Sequence, residues 1–165
     1  VSFDGSGDYL SLSDDASLQM GSGDFTIEAW VYVNAHKNSN YIYSYSYPYQ
    51  FTIDANGHLE SYFNDGDNFS TYIAVQGSYA IPTSTWTHVA VVRNGNTFTQ
   101  FVNGAQDGTT TSSATLAIPS TYDPRIGDWG AGSYSFNGYI SNFRVVKGTA
   151  VYSNSFTPPT AELTS

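Results

Sequence analysis

Apolar residues in this chain recur at every second position, and no window of a dozen residues carries a helical i, i+3, i+4, i+7 stripe free of Gly or Pro. In Phe25-Thr26-Ile27-Glu28-Ala29-Trp30-Val31-Tyr32-Val33, one face takes Phe25, Ile27, Ala29, Val31 and Val33. The other takes Thr26, Glu28, Trp30 and Tyr32. That is the pattern of a half-buried strand. His88-Val89-Ala90-Val91-Val92-Arg93 is nearly continuous and apolar, as a strand covered on both faces would be. Asn94-Gly95 and Asn103-Gly104 bracket Thr97–Val102, and such pairs favour tight hairpins because both residues tolerate positive φ. The same logic sets 50–54 and 58–63 on either side of an Asp54-Ala55-Asn56-Gly57 turn. Further strands are expected at 9–13, 71–76, 124–127 and 139–147. Many short strands with frequent turns predict an all-β antiparallel sandwich.

At 165 residues the chain is one globular unit with enough length for a core. Five Lys and Arg stand against fourteen Asp and Glu, a net charge of −9, and such an anionic surface argues against nucleic acid. No apolar run approaches the ~20 residues of a membrane-spanning helix, so no membrane insertion is expected. The absence of cysteine excludes disulfides, thiolate metal sites and a cysteine nucleophile. The chain opens at Val1 inside what reads as a strand, without an initiator Met or signal-like segment, and is expected to be an excised or processed domain. Near its end, Pro158-Pro159 cannot donate to a sheet. This divides a domain of residues 1–157 from a Pro-containing tail, 158–165, suited to attachment to another domain or assembly.

Phe3-Asp4-Gly5, Gly7-Asp8-Tyr9-Leu10 and Asp24-Phe25-Thr26-Ile27-Glu28-Ala29-Trp30-Val31 together resemble the opening of a LamG-like (laminin G-like) domain, of the concanavalin A-like jelly-roll superfamily. Trp86–Arg93 with Phe101-Val102-Asn103-Gly104 is similar to its middle signature, and Phe136–Val145 to its closing strand. Gly148–Tyr152 with Phe156-Thr157-Pro158-Pro159 resembles a branch common in phage structural and marine bacterial surface proteins. The resemblance implies two stacked curved sheets, a role in binding carbohydrate or protein, and often a calcium ion at the rim. One fold hosts many functions, so it fixes no ligand.

Some relatives in this superfold are glycanases with paired carboxylates on one strand, about 5–5.5 Å apart in retaining enzymes. The glutamates here are Glu28, Glu60 and Glu162, none with a carboxylate two or four positions away within a strand. No Gly-x-Ser-x-Gly elbow is present, and His36, His58 and His88 are too scattered for zinc. A non-catalytic protein is expected. His88 is assigned to a packed, hydrogen-bonded position, and Trp30 and Trp86 to packing.

Tyr41-Ile42-Tyr43-Ser44-Tyr45-Ser46-Tyr47-Pro48-Tyr49 would, as one strand, project its tyrosines from a single face. Burying so many phenols demands a partner for each hydroxyl, so a partly exposed platform of Tyr43, Tyr45, Tyr47 and Tyr49 is expected to contact a glycan or a neighbouring subunit. A second candidate is the Gly-rich loop 127–134, where Trp129 and Tyr134 would stack on a sugar while Asp128 accepts its hydroxyl hydrogens. Asp65 and Asp67, in Asn64-Asp65-Gly66-Asp67-Asn68, are the candidate calcium ligands. The expected role is a carbohydrate-binding or adhesion module outside the cell or on a virion surface. The alternative is a structural subunit of a virion or extracellular assembly whose tyrosines face a neighbour.

Overall fold

The computed structural model describes residues 1–45, 48–65, 72–117, 123–130 and 134–163. Twelve strands run in chain order as β1 (Ser2–Asp4), β2 (Leu10–Ser11), β3 (Phe25–Val33), β4 (Ser39–Tyr45), β5 (Tyr49–Asp54) and β6 (His58–Asn64). There follow β7 (Tyr72–Ala80), β8 (Trp86–Asn94), β9 (Thr97–Val102), β10 (Ala105–Thr111), β11 (Arg125–Ile126) and β12 (Asn137–Lys147). One sheet has the order β1-β12-β3-β8-β9-β10 and the other β2-β11-β4-β5-β6-β7. Every ladder within the two sheets is antiparallel. The expected all-β antiparallel sandwich is present.

The alternating residues build the interior. Phe25, Ile27, Ala29, Val31 and Val33 of β3 are fully buried, and with Val89 and Val91 of β8 they face Phe51, Ile53, Leu59 and Phe63 of the opposite sheet. Phe25, Phe63 and Phe98 form an edge-on aromatic cluster bridging the layers. Where the sheets part beside β7 and β10, Asp107 Oδ1 accepts from the backbone N–H groups of Ser78 and Tyr79 and ties the layers together.

Segment 41–49 is not one strand. β4 ends at Tyr45 and β5 begins at Tyr49, so the chain doubles back as a hairpin with Pro48 outside both ladders. A bulge also interrupts β4: Tyr41 lies opposite Thr52, but Tyr43, two residues on, lies opposite Phe51, only one position along β5. An extra residue in one strand reverses the faces that follow. Tyr41 therefore points outward, while Tyr43, Tyr45 and Tyr49 point inward with no exposed surface.

After β12 the chain leaves the sheets but not the fold. Residues 148–159 cross the outer face of the first sheet, and Tyr152, stacked on Phe156 with ring centroids 3.5 Å apart, packs on Ala90, Val92 and Phe101. The Phe156 N–H donates to Gly104 O, and Trp30 Nε1 donates to Pro159 O. Gly104, at φ +77°, allows this docking; a Cβ there would stand 1.9 Å from Phe156 O. The first residues of the Pro-containing tail thus lie against β3.

Candidate functional site

The exposed platform expected of the inward tyrosines is overturned. Tyr49 donates to Ala117 O at 2.9 Å and accepts from the Met20 N–H at 3.0 Å, and Tyr45 donates to Asp14 Oδ1. The sandwich thus supplies partners that its apolar composition did not suggest. Tyr43 packs on Phe143, and its buried hydroxyl has no hydrogen-bond partner among the described residues. Tyr43, Tyr45 and Tyr49 are core residues; Tyr47 lies outside the described residues.

The bulge that turns those rings inward delivers Tyr41 to the outer face, under the Gly-rich loop. Tyr41 lies 6.3 Å from Trp129 and 6.0 Å from Tyr134, and those two rings meet edge-on at 5.7 Å. Tyr41 is the floor, only 9% exposed, while Trp129 and Tyr134 are half-buried and reach the surface. Burial raises the Tyr41 phenol far above its usual range, with Tyr134, Tyr62 and Glu60 adding to the shift. It is a neutral hydroxyl at any physiological pH, donating to Gln50 Oε1 at 2.8 Å.

The described ends of the loop, 127–130 and 134, are tied to the sheet by backbone hydrogen bonds. The Phe136 N–H donates back to Gly127 O, the Gly127 N–H to Ile42 O, and the Tyr41 N–H to Tyr134 O. Gly127 sits at φ +91°, where a Cβ would collide with the Phe3 ring at 2.3 Å. Asp128, expected to receive sugar hydroxyls, is instead the loop's internal anchor. Its carboxylate accepts from the Gly130 N–H, Ser135 Oγ and Arg125, and it is 1% exposed. A short acidic side chain following a left-handed glycine caps its own turn, so its lone pairs are spent before a ligand arrives.

Strand register extends the platform across the sheet. Tyr41, Thr52, Glu60 and Gln76 form one outward row over β4 to β7, with Ser44, Gln50, Tyr62 and Ala74 beside it. Gln76 Nε2 donates to Glu60 Oε1 at 3.1 Å and to the Tyr62 hydroxyl at 3.2 Å. Tyr72, 42% exposed, meets Tyr62 edge-on at 6.2 Å. Burial and the Glu60 charge raise the Tyr62 phenol. Reading the sequence set Tyr41 in the tyrosine ladder but did not single out Tyr62, Tyr72, Gln50, Glu60 and Gln76; alternation in β5–β7 puts these five outward, but nothing local says that this face stays open.

The rim calcium implied by the resemblance finds no shell here. No three His, Asp or Glu side chains gather among the described residues. Asp65 is half-buried at an isolated bridge to Leu116, and Asp67 lies outside the described residues.

The opposite sheet holds a different cluster. Glu28 Oε2 accepts from His88 Nε2 at 3.0 Å and from the Tyr152 hydroxyl at 2.8 Å, while Oε1 accepts from Arg144 Nε at 2.9 Å. Glu28 and His88 have no exposed surface. Burial works to raise the Glu28 carboxyl, but the bonds from His88, Arg144 and Tyr152 outweigh it and hold it below its ordinary value. His88 is packed and hydrogen-bonded as expected. Trp86 is not packed away; it is 44% exposed in a surface trio with Tyr32 and Tyr139.

The sequence matches the family profile of the concanavalin A-like lectin/glucanases superfamily over residues 4–151, and the chain belongs to that superfamily. No curated protein matches it. Among solved structures it is similar to a protein of inferred carbohydrate binding from Bacteroides ovatus (TM-score 0.74, 19% identity), covering 93% of this chain and 44% of that one. It is also similar to domain 4 of the extracellular GH43 arabinanase AbnA from Geobacillus stearothermophilus, in complex with arabinotriose (TM-score 0.65, 16% identity, 87% of this chain and 68% of that one). A third likeness is to the CBM40 of the Ruminococcus gnavus IT-sialidase, bound to α2,3 sialyllactose (TM-score 0.61, 13% identity, 88% of this chain and 92% of that one). At these identities the likenesses establish the fold alone.

Proposed function

We propose that this member of the concanavalin A-like lectin/glucanase superfamily is a non-catalytic glycan-binding module. Its site is the outer face of β4–β7 under the 127–134 loop. The observation that carries the reading is the cluster of Tyr41, Trp129 and Tyr134 bordering the polar side chains of Gln50, Glu60 and Gln76 in two adjacent rows. Sugar rings offer apolar C–H faces ringed by hydroxyls. Half-buried aromatic faces with amides and a carboxylate alongside suit both parts, and a ring already held in place loses little freedom on binding.

Glu60 faces the platform with a glutamine beside it and no second carboxylate in its row, so the acid pair of a retaining glycanase is not assembled there. The carbohydrate ligands of two of the structural neighbours support a sugar partner, and the extracellular setting of the arabinanase supports a module working outside the cell. A virion or assembly-subunit role draws no support from these likenesses.

The test is a glycan array followed by titration of Trp129→Ala and Tyr62→Ala. Each substitution should weaken binding by roughly tenfold or more, the factor that ~1.4 kcal/mol represents, with thermal unfolding still cooperative. No binding by the unsubstituted protein, or unchanged binding by both variants, overturns the proposal.

A further inference from the structure

We infer that the platform selects neutral glycans and rejects sialylated, sulfated and uronic-acid ones; this rests on the proposed site above. The inference comes from following every cation in the chain. There are five Lys and Arg residues, all within the described regions. Arg93 donates to the carbonyls of Gly95, Gly21 and Ala114, and Lys147 to Ala16 O. Arg144 is bound to Glu28, and Lys37 donates to Gly5 O. Arg93, Arg144 and Lys147 lie on the first sheet, and Lys37 lies in the β3–β4 connection with its ammonium turned to Gly5 O.

That leaves Arg125 on β11, the one Lys or Arg in the platform's sheet. Its guanidinium donates to Asp128 Oδ2 at 3.3 Å and lies 4.2 Å over the Tyr9 ring, so its charge is already matched by a buried carboxylate. Bidentate capture of a ligand carboxylate or sulfate uses both arms of the fork, and Asp128 engages one of them, Nη1. Withdrawing Asp128 would also strip the acceptor from the Gly130 N–H and Ser135 Oγ that shape the loop.

Glu60 adds repulsion. Its nearest polar contact on the platform is the Gln76 amide, a neutral group, and its charge registers on Tyr62 and Tyr41. The other carboxylate and the histidine on these strands, Asp54 and His58, lie 3.3 Å apart. An anionic sugar would approach a face that carries the Glu60 carboxylate on a protein of net charge −9. In partly screened surroundings, like charges a few ångströms apart cost about a fivefold factor or more in affinity.

The experiment compares matched pairs: neutral oligosaccharides against their sialylated, sulfated and uronic-acid counterparts, titrated at low and high salt. Neutral members should bind at least about fivefold tighter, the ratio narrowing as salt rises and narrowing again in Glu60→Gln. The salt series on the unsubstituted protein stands even if that variant misfolds. Equal or tighter binding of the acidic members, lost in Trp129→Ala, overturns this inference and leaves the platform standing. Binding of neither class overturns the platform and the selectivity together.

Discussion

On the face of β4–β7 the rings of Tyr62 and Tyr72 meet solvent; on the face of β3, β8 and β12 the central outward positions around Glu28 and His88 are roofed by residues 148–159. Both faces come from strands that alternate inward and outward. The difference lies in what the chain does between and after the strands. One loop, tied to β4 by backbone hydrogen bonds at Tyr41 and Ile42, covers a single corner of its sheet and leaves Tyr62 and Tyr72 reachable. The C-terminal strap covers the middle of the other sheet and turns an outward glutamate into a buried one. A carboxylate with no exposed surface is tolerable only because His88, Arg144 and Tyr152 all point at it. The open face bonds its polar groups to one another at the surface; the roofed face bonds them to its own tail.

The sharpest way to break this contrast is Glu28→Gln. Removing one member of a buried charged cluster should cost about 3 kcal/mol, read from the urea midpoint, while glycan affinity at neutral pH stays unchanged because the platform lies on the other sheet. The acid limb carries the same information. The Glu28 carboxyl is held below its ordinary value of 4.5, so its stabilising bonds are complete above that value and are lost as pH falls through the lower, folded one. Unsubstituted protein should lose stability below about pH 4, and the variant should show a flatter acid limb. A cost under ~1 kcal/mol would mean that the strap, not the carboxylate, holds the roof.

What was legible in the sequence follows the same division. The interior of β3 and β8 was readable residue by residue, since period-two alternation and continuous apolarity are local signals. The hairpin pairs bounded β8 and β9. The tyrosines failed because alternation assumes an unbroken strand. One extra residue between Tyr41 and Tyr43, and a reversal at Pro48, sent three of them into the core and only Tyr41 to the surface. Trp129 and Tyr134, singled out through a loop rich in glycine, lie beside Tyr41. Asp128, in the same loop, was misread because its partners Arg125 and Ser135 become visible only once the turn is formed. Glu28 looked solvent-facing because nothing within β3 announces a strap arriving from residue 152. The i, i+4 spacing of Tyr152 and Phe156 past the last strand was the signal available.

A smaller effect tests how firmly the interior beneath the open face is closed. Tyr49→Phe leaves the buried Met20 N–H without its acceptor and should cost about 1–2 kcal/mol. Tyr43→Phe removes a hydroxyl with no partner among the described residues and should change stability by less than about 0.5 kcal/mol, in either direction. Equal costs for the two would show that the Tyr43 hydroxyl is satisfied in solution and that the two phenols are equivalent.

A small effect is also expected at Trp86, and it sharpens the contrast most directly. Trp86, Tyr32 and Tyr139 form an aromatic trio on the sheet assigned to the strap, with centroids 5.6–6.4 Å apart and Trp86 44% exposed. Edge-on ring pairs at the surface contribute about 0.5–1 kcal/mol, so Trp86→Ala should lower stability by no more than about 1 kcal/mol in a thermal melt. Glycan affinity should match the unsubstituted protein. The trio lacks what the platform has: no glutamine–glutamate row runs beside it, and the first polar groups along its edge are Ser141 and Asn142. If Trp86→Ala abolished binding while Trp129→Ala did not, the assignment of open and roofed faces would have to be exchanged, with the strap's end at Pro159 and Thr160 becoming the wall of the site rather than the edge of a cover.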